Sequence, residues 1–194
     1  MSLPPTNTIG KQLPINKLCD LLRVDVAAAG FCEALTFALV SRADVGEKMG
    51  LKEPPSNVVH VSNPKTAEFQ VCRNALLPGL LKTTQANRKL PLPLKLFEVS
   101  DIVLKGEFFI QILNYSVSIP GPLVQECHDN PDSKNSDSTT HTGCRNERHM
   151  SASIYSKTGS GFEIIHGLLD RVMELLEVPR CEVGSADGFY IKSL

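Results

Sequence analysis

Apolar residues recur at helical spacing in three stretches of this chain and alternate with polar ones in several others. In the first helical stretch Ile15, Leu18, Leu22, Val26 and Ala29 share one face, with Lys17, Asp20 and Arg23 mostly opposite. Leu21 and Val24 lie off that line, which predicts a helix apolar on more than one side from about Pro14 onward. Gly30 is placed to stop it in the left-handed region. Phe31 to Val40 is rich in apolar residues and reads as a buried strand whose one charge is Glu33. Ser41 and Asp44 have the spacing of a capping box that opens a short helix, ended by Gly50. Pro54-Pro55 reads as a linker, and Val58 to Val61 as a second short strand.

The central block runs from Asn63 to Leu104. Asn63-Pro64 predicts a turn, because asparagine bonds its local backbone and proline fixes φ. Phe69-Gln70-Val71-Cys72 leads to Arg73, after which Leu76, Leu77, Leu80 and Leu81 recur at helical spacing. Pro78 is tolerable there because it falls in the first turn. The helix is predicted to end near Arg88-Lys89, where cations suit the negative helix end, before Pro91 and Pro93. Lys95 to Leu104 alternates through Leu96, Glu98, Ser100 and Asp101 as a strand. The block is therefore strand, helix, strand, with an arginine at the first junction.

Gly106 to Ile119 is apolar and β-prone. His128 to Thr142 is dominated by Asp, Asn, Ser and Thr, and predicts a disordered loop. Met150 to Tyr155 alternates as a strand. Gly161 precedes an amphipathic helix with Phe162, Ile165, Leu169, Val172 and Leu176 on one face, Pro179 follows it, and Gly188 to Leu194 begins another strand. Strands interspersed with helices define a mixed α+β class.

Composition then removes several functions. The formal net charge of −1 over 194 residues gives no global field toward nucleic acid or membrane. No apolar run approaches the roughly 20 residues that span a bilayer. Residues 1–13 read as an extended lead-in without the apolar core of a secretory signal. Six cysteines stand singly, as reduced cytosolic thiols do, so a cytoplasmic location is expected.

The run Asn63-Pro64-Lys65-Thr66-Ala67-Glu68-Phe69-Gln70-Val71, then Arg73, Leu76-Leu77-Pro78-Gly79-Leu80-Leu81 and Leu96-Phe97-Glu98-Val99-Ser100-Asp101, resembles the β subunit of the eukaryotic and archaeal cytosolic type of phenylalanine–tRNA ligase. Asn16 to Phe37 and Gly161 to Asp170 are similar to the same family. The resemblance covers roughly residues 6–105 and 143–194, and leaves 106–142 as an atypical insertion. It implies a class II aminoacyl-tRNA synthetase-like antiparallel sheet flanked by helices, with its first part at 14–105 and its second at 143–194. The fold is expected to continue beyond Leu194.

The residues that could carry chemistry are few. In catalytic members of this class arginines clamp ATP phosphates, because a planar guanidinium makes paired charge-assisted bonds. Lys105 and Glu107 stand about where such enzymes carry an Arg-x-Glu pair, but lysine cannot reproduce the fork, and the third class motif is absent. Arg73 therefore reads as structural, holding the strand–helix corner or an interface. Glu163, His166 and Asp170 share a helix face but lack the facing carboxylates of a di-metal site. Cys127, His128, His141 and Cys144 fit no standard zinc spacing. Arg88, Lys89 and Lys95 form a small basic cluster without aromatics for base stacking. No catalytic, cofactor-binding or metal residue is assigned.

The resemblance implies a β-subunit portion that does not catalyse and that pairs with an α subunit in an α2β2 assembly. In that enzyme ATP and Mg serve the complete complex, which also takes tRNA(Phe). Leu21, Val24, Glu33, Asn63, Arg73, Leu76 and Leu80 are the structural or interface candidates. The rival expectation is a protein-interaction or RNA-binding fragment with no ligase role.

Overall fold

The computed structural model describes residues 10–105, 116–118, 144–157, 159–181 and 189. The described residues divide into two units: Met1–Phe31 with Ser156–Leu194, and Cys32–Tyr155 between them in sequence.

The first unit is a helix pair. Helix α1 spans Pro14–Ala28, with proline in its first turn, where the missing N–H has no intrahelical partner to lose. Gly30 lies beyond its end at φ 86°, the left-handed conformation expected of it. Cys19, Leu22 and Val26 are the buried residues of α1. Helix α4, Phe162–Leu175, follows Gly161 and packs on α1. Its buried residues are Leu168 and Val172, while Phe162 is 59% exposed. Ile165, Leu169 and Leu176 are half-buried beside them, so the expected face holds through Val172 except at Phe162, and Leu168 joins it. Of the expected Gly188–Leu194 strand, only Phe189 is described, in a parallel bridge with Arg180.

The second unit is built on two long strands, β4 (Leu94–Lys105) and β6 (Cys144–Tyr155), paired antiparallel along their whole length from Leu94↔Tyr155 to Lys105↔Cys144. Among the described residues they form, with β1 (Cys32–Glu33) and β5 (Ser116–Ser118), a four-stranded sheet in the order β1-β4-β6-β5. The sheet is mixed, because β1 pairs parallel to β4. β6 begins six residues before the expected start at Met150. β5 falls inside the β-prone stretch, and the rest of 106–142, including the predicted loop, lies outside the described residues.

Helix α3, Leu77–Ala86, packs on β4 and β6. Leu76 and Leu80 are fully buried beneath it, each contributing about 1.5–3 kcal/mol of apolar transfer. Its end differs from expectation. Asn87 caps it, donating from its amide and from Nδ2 to the Thr83 carbonyl, and no cation stands in the last turn. A polar side chain within reach of the last carbonyls satisfies them directly, which removes the need for a charge.

A smaller layer is made by β2 (Leu39–Val40) against β3 (Val71–Cys72), with α2 (Arg42–Val45) following β2. Val45, Val58 and Val71 form its core, joined by Val40. The expected Val58–Val61 strand reduces to one bridge, His60↔Val71. The buried strand expected at Phe31–Val40 is also absent. Only its two ends pair, and Leu35 and Phe37 between them are 81% and 76% exposed.

Candidate functional site

The middle of that stretch is held by side chains rather than by a ladder. Glu98, in the centre of β4, is 1% exposed and receives an ion pair from Arg73 Nη1 at 2.7 Å. Thr36 donates its hydroxyl to the other Glu98 oxygen at 2.7 Å and its amide to Oε1 at 3.3 Å. Arg73 Nη1 also donates to the Thr36 carbonyl at 3.2 Å and to its hydroxyl at 3.3 Å, and Nε to the Asp101 carbonyl at 2.9 Å. Both carboxylate oxygens are thus satisfied, the condition under which a charge can stay buried.

The knot ties three segments. β3 delivers Arg73, β4 delivers Glu98 and the carbonyl of Asp101, and the β1–β2 connection delivers Thr36. α3 closes it from above at Gly79, the only residue type that fits there. A Cβ on Gly79 would lie 2.7 Å from Thr36 Cβ and 3.0 Å from its Cγ2, with Oγ1 closer still. Arg73 is placed at the strand–helix corner, with Nη1 and Nε both engaged by protein acceptors.

A second polar node lies at α2. Ser41 and Asp44 make both bonds of the capping box. Asp44 is 6% exposed and pairs with Lys48 at 2.7 Å and with Lys82 of α3 at 3.5 Å. Burial alone raises its pKa, but Lys48, then the hydroxyl and amide of Ser41, and then Lys82 outweigh it and hold it at about 2.

The other named residues are scattered. Leu21 and Val24 of α1 are 56% and 69% exposed. Glu33, in β1, and Asn63, in a bend, are also exposed. His166 Nδ1 meets Asp170 at 3.0 Å, and among the described residues no group of His, Cys, Asp or Glu is placed to hold a metal ion. Cys127, His128, His141 and Glu107 lie outside the described residues. Glu98, Thr36 and Gly79 carry the knot and were not singled out from sequence. A carboxylate between Phe97 and Val99 in an apolar strand was the available signal, since such a charge requires a cation.

The fold is a mixed α+β one that is shared with a solved tRNA synthetase. The pyrrolysyl tRNA synthetase PylSc of Desulfitobacterium hafniense superposes with a TM-score of 0.56 at 14% identity, over 87% of this chain and 49% of that one. The chain belongs to the family described as the phenylalanyl tRNA synthetase beta chain CLM domain, which matches residues 1–191. It is 51% identical to the phenylalanine–tRNA ligase beta subunits of Mus musculus and Homo sapiens over 100% of its length, and 46% identical to that of Drosophila melanogaster over 99%. It spans 27% of the length of those relatives. No described helix is long and apolar enough to cross a membrane.

Proposed function

We propose that this chain is the synthetase-like portion of a cytosolic phenylalanine–tRNA ligase β subunit and supports charging of tRNA(Phe) without reacting itself. An α subunit activates phenylalanine with ATP and Mg, and the two assemble as α2β2. The sheet is then the class II synthetase sheet, with β4 and β6 its central antiparallel pair. The observation that carries this reading is the 51% identity to beta subunits along the whole chain. The geometry agrees with a supporting role. Arg73, the arginine at the strand–helix corner, is 7% exposed and is committed to Glu98, Thr36 and Asp101.

We assign contact with the α subunit to the outer side of α1. Leu21 and Val24 leave apolar surface exposed there, while Leu22, one residue on, is 2% exposed. The test is capture of the chain by a tagged α subunit after co-expression, together with thermal melting of each variant. Leu21→Asp is expected to melt like the parent and to lose capture, because an unpartnered charge enters an apolar contact. Leu22→Asp is expected to unfold the chain. Parent-level capture of Leu21→Asp would move the interface elsewhere, and failure of the parent to be captured would sink the assembly.

A further inference from the structure

Three elements distant in sequence bring basic side chains to one open groove of about 410 Å³. Arg42 comes from α2, His60 from the segment bridged to β3, and Lys105 from the end of β4. The backbone around them is pinned. Lys105 donates its amide to the Asn57 carbonyl at 2.8 Å, and Val58, buried in the valine core, donates to Pro55. Pro54 and Pro55 supply an apolar wall, and Ser56 a hydroxyl. Glu53 is the one carboxylate lining the groove.

Arg42 and Lys105 bring two positive charges to the groove. Arg23, Arg73, Arg145, Arg148 and Arg171 each pair with a carboxylate. Among the described residues the side chains of Arg42, His60 and Lys105 make no such pair. A chain of net charge −1 therefore carries a local concentration of positive charge in a concavity. Such a place attracts anions through local rather than global field.

We propose that this groove takes the phosphates of an RNA backbone. A planar guanidinium and an ammonium both suit phosphate oxygens, and the imidazole and the serine hydroxyl add donors. A ribose–phosphate chain presents anionic groups separated by less polar sugar, which matches basic groups set around a proline wall. No aromatic side chain lines the groove, so it lacks a stacking surface for a base. Contact is through backbone and independent of sequence, the mode that positions a nucleic acid without reading it. The choice of RNA rests on the ligase reading above; the anion chemistry rests on the groove alone.

The test is fluorescence anisotropy of a labelled RNA hairpin against the full chain, over KCl from about 50 to about 200 mM, where phosphate contacts change affinity most visibly. Arg42→Gln and Lys105→Gln are each expected to weaken binding about 3- to 10-fold at low salt and to lower the log–log salt slope by about 0.7–0.9, one counterion each. Arg88→Gln, outside the groove, is expected to leave both unchanged. Melting of each variant checks folding, which exposed side chains without partners do not support. Absence of RNA binding at the lowest salt, or parent slopes in both groove variants, would overturn the proposal. Displacement of the hairpin by an equal concentration of ATP or inorganic pyrophosphate would also overturn it, by showing a small-phosphate site. Capture by the α subunit is scored on the same preparations, so a failure of assembly is seen separately from a failure of RNA binding.

Discussion

Replacing Gly79 by alanine adds one carbon to α3, and on an ordinary exposed helix position it would stabilise the protein by about 1 kcal/mol. Here the sign is expected to reverse. The new Cβ falls 2.7 Å from Thr36 Cβ and 3.0 Å from its Cγ2. Rotating Thr36 about χ1 moves Oγ1 and Cγ2 but leaves Cβ in place, so the threonine or the helix itself must shift. Overpacking of this kind costs about 1–3 kcal/mol. Moving Thr36 also breaks its 2.7 Å hydrogen bond to a carboxylate that is 1% exposed, at about 1.5–3 kcal/mol more. Less the gain in helix propensity, the net destabilisation is about 2–5 kcal/mol, a Tm drop of about 5–15 °C for a chain of this size. Urea unfolding followed by circular dichroism measures it. The same substitution on a Thr36→Gly background is expected to cost nothing, because the atom it meets is gone. A Gly79→Ala protein as stable as the parent, or equal costs on both backgrounds, would refute the steric argument.

Other consequences can be measured on the same protein. Glu98→Gln or Arg73→Met leaves the opposite charge buried and is expected to cost about 3–5 kcal/mol in urea unfolding. Asp44 has a folded pKa of about 2 against an ordinary 3.8, so its contribution is fully present above about pH 4 and is lost as pH falls through 2. The stability gap between the parent and Asp44→Asn is expected to be on the order of 1–2 kcal/mol at pH 6 and to close by pH 2, since both lysine partners are more than half exposed; a gap that persists at pH 2 would contradict the pairing. The purified chain is expected to show no phenylalanine-dependent pyrophosphate exchange above a blank, because lysine stands at 105 where catalytic members carry an arginine and Arg73 is held by Glu98.

Local signals carried most of what could be read ahead of the structure. Pro14 and Gly30 bracket α1, and Ser41 with Asp44 forms both bonds of a motif recognisable from two residues. α3 and β4 follow from apolar spacing alone. What could not be read was non-local. Phe31–Val40 has a strand's composition, yet the Thr36 amide bonds a side chain rather than a neighbouring strand, so a ladder never forms through its centre. Arg73 stood out at a junction, but its partner lies 25 residues on and looked like one polar position in an alternating strand. The α4 face was legible from spacing through Val172, but not that Phe162 at its start lies exposed or that Leu168 joins the buried side. The groove joins residues 42, 60 and 105, a juxtaposition that no spacing rule predicts.

The division of the chain also orders events in time. Cys32–Tyr155 is continuous in sequence, so its unit can close as soon as Tyr155 has left the ribosome. α1 is made first but must wait for α4, which lies roughly 130 residues later; at ordinary rates of synthesis that is on the order of ten seconds. Throughout that interval Leu22 and Val26, the residues buried in the finished protein, have no companion helix. Among the described helices α1 therefore waits longest for the helix it packs on, even though it is among the simplest to recognise.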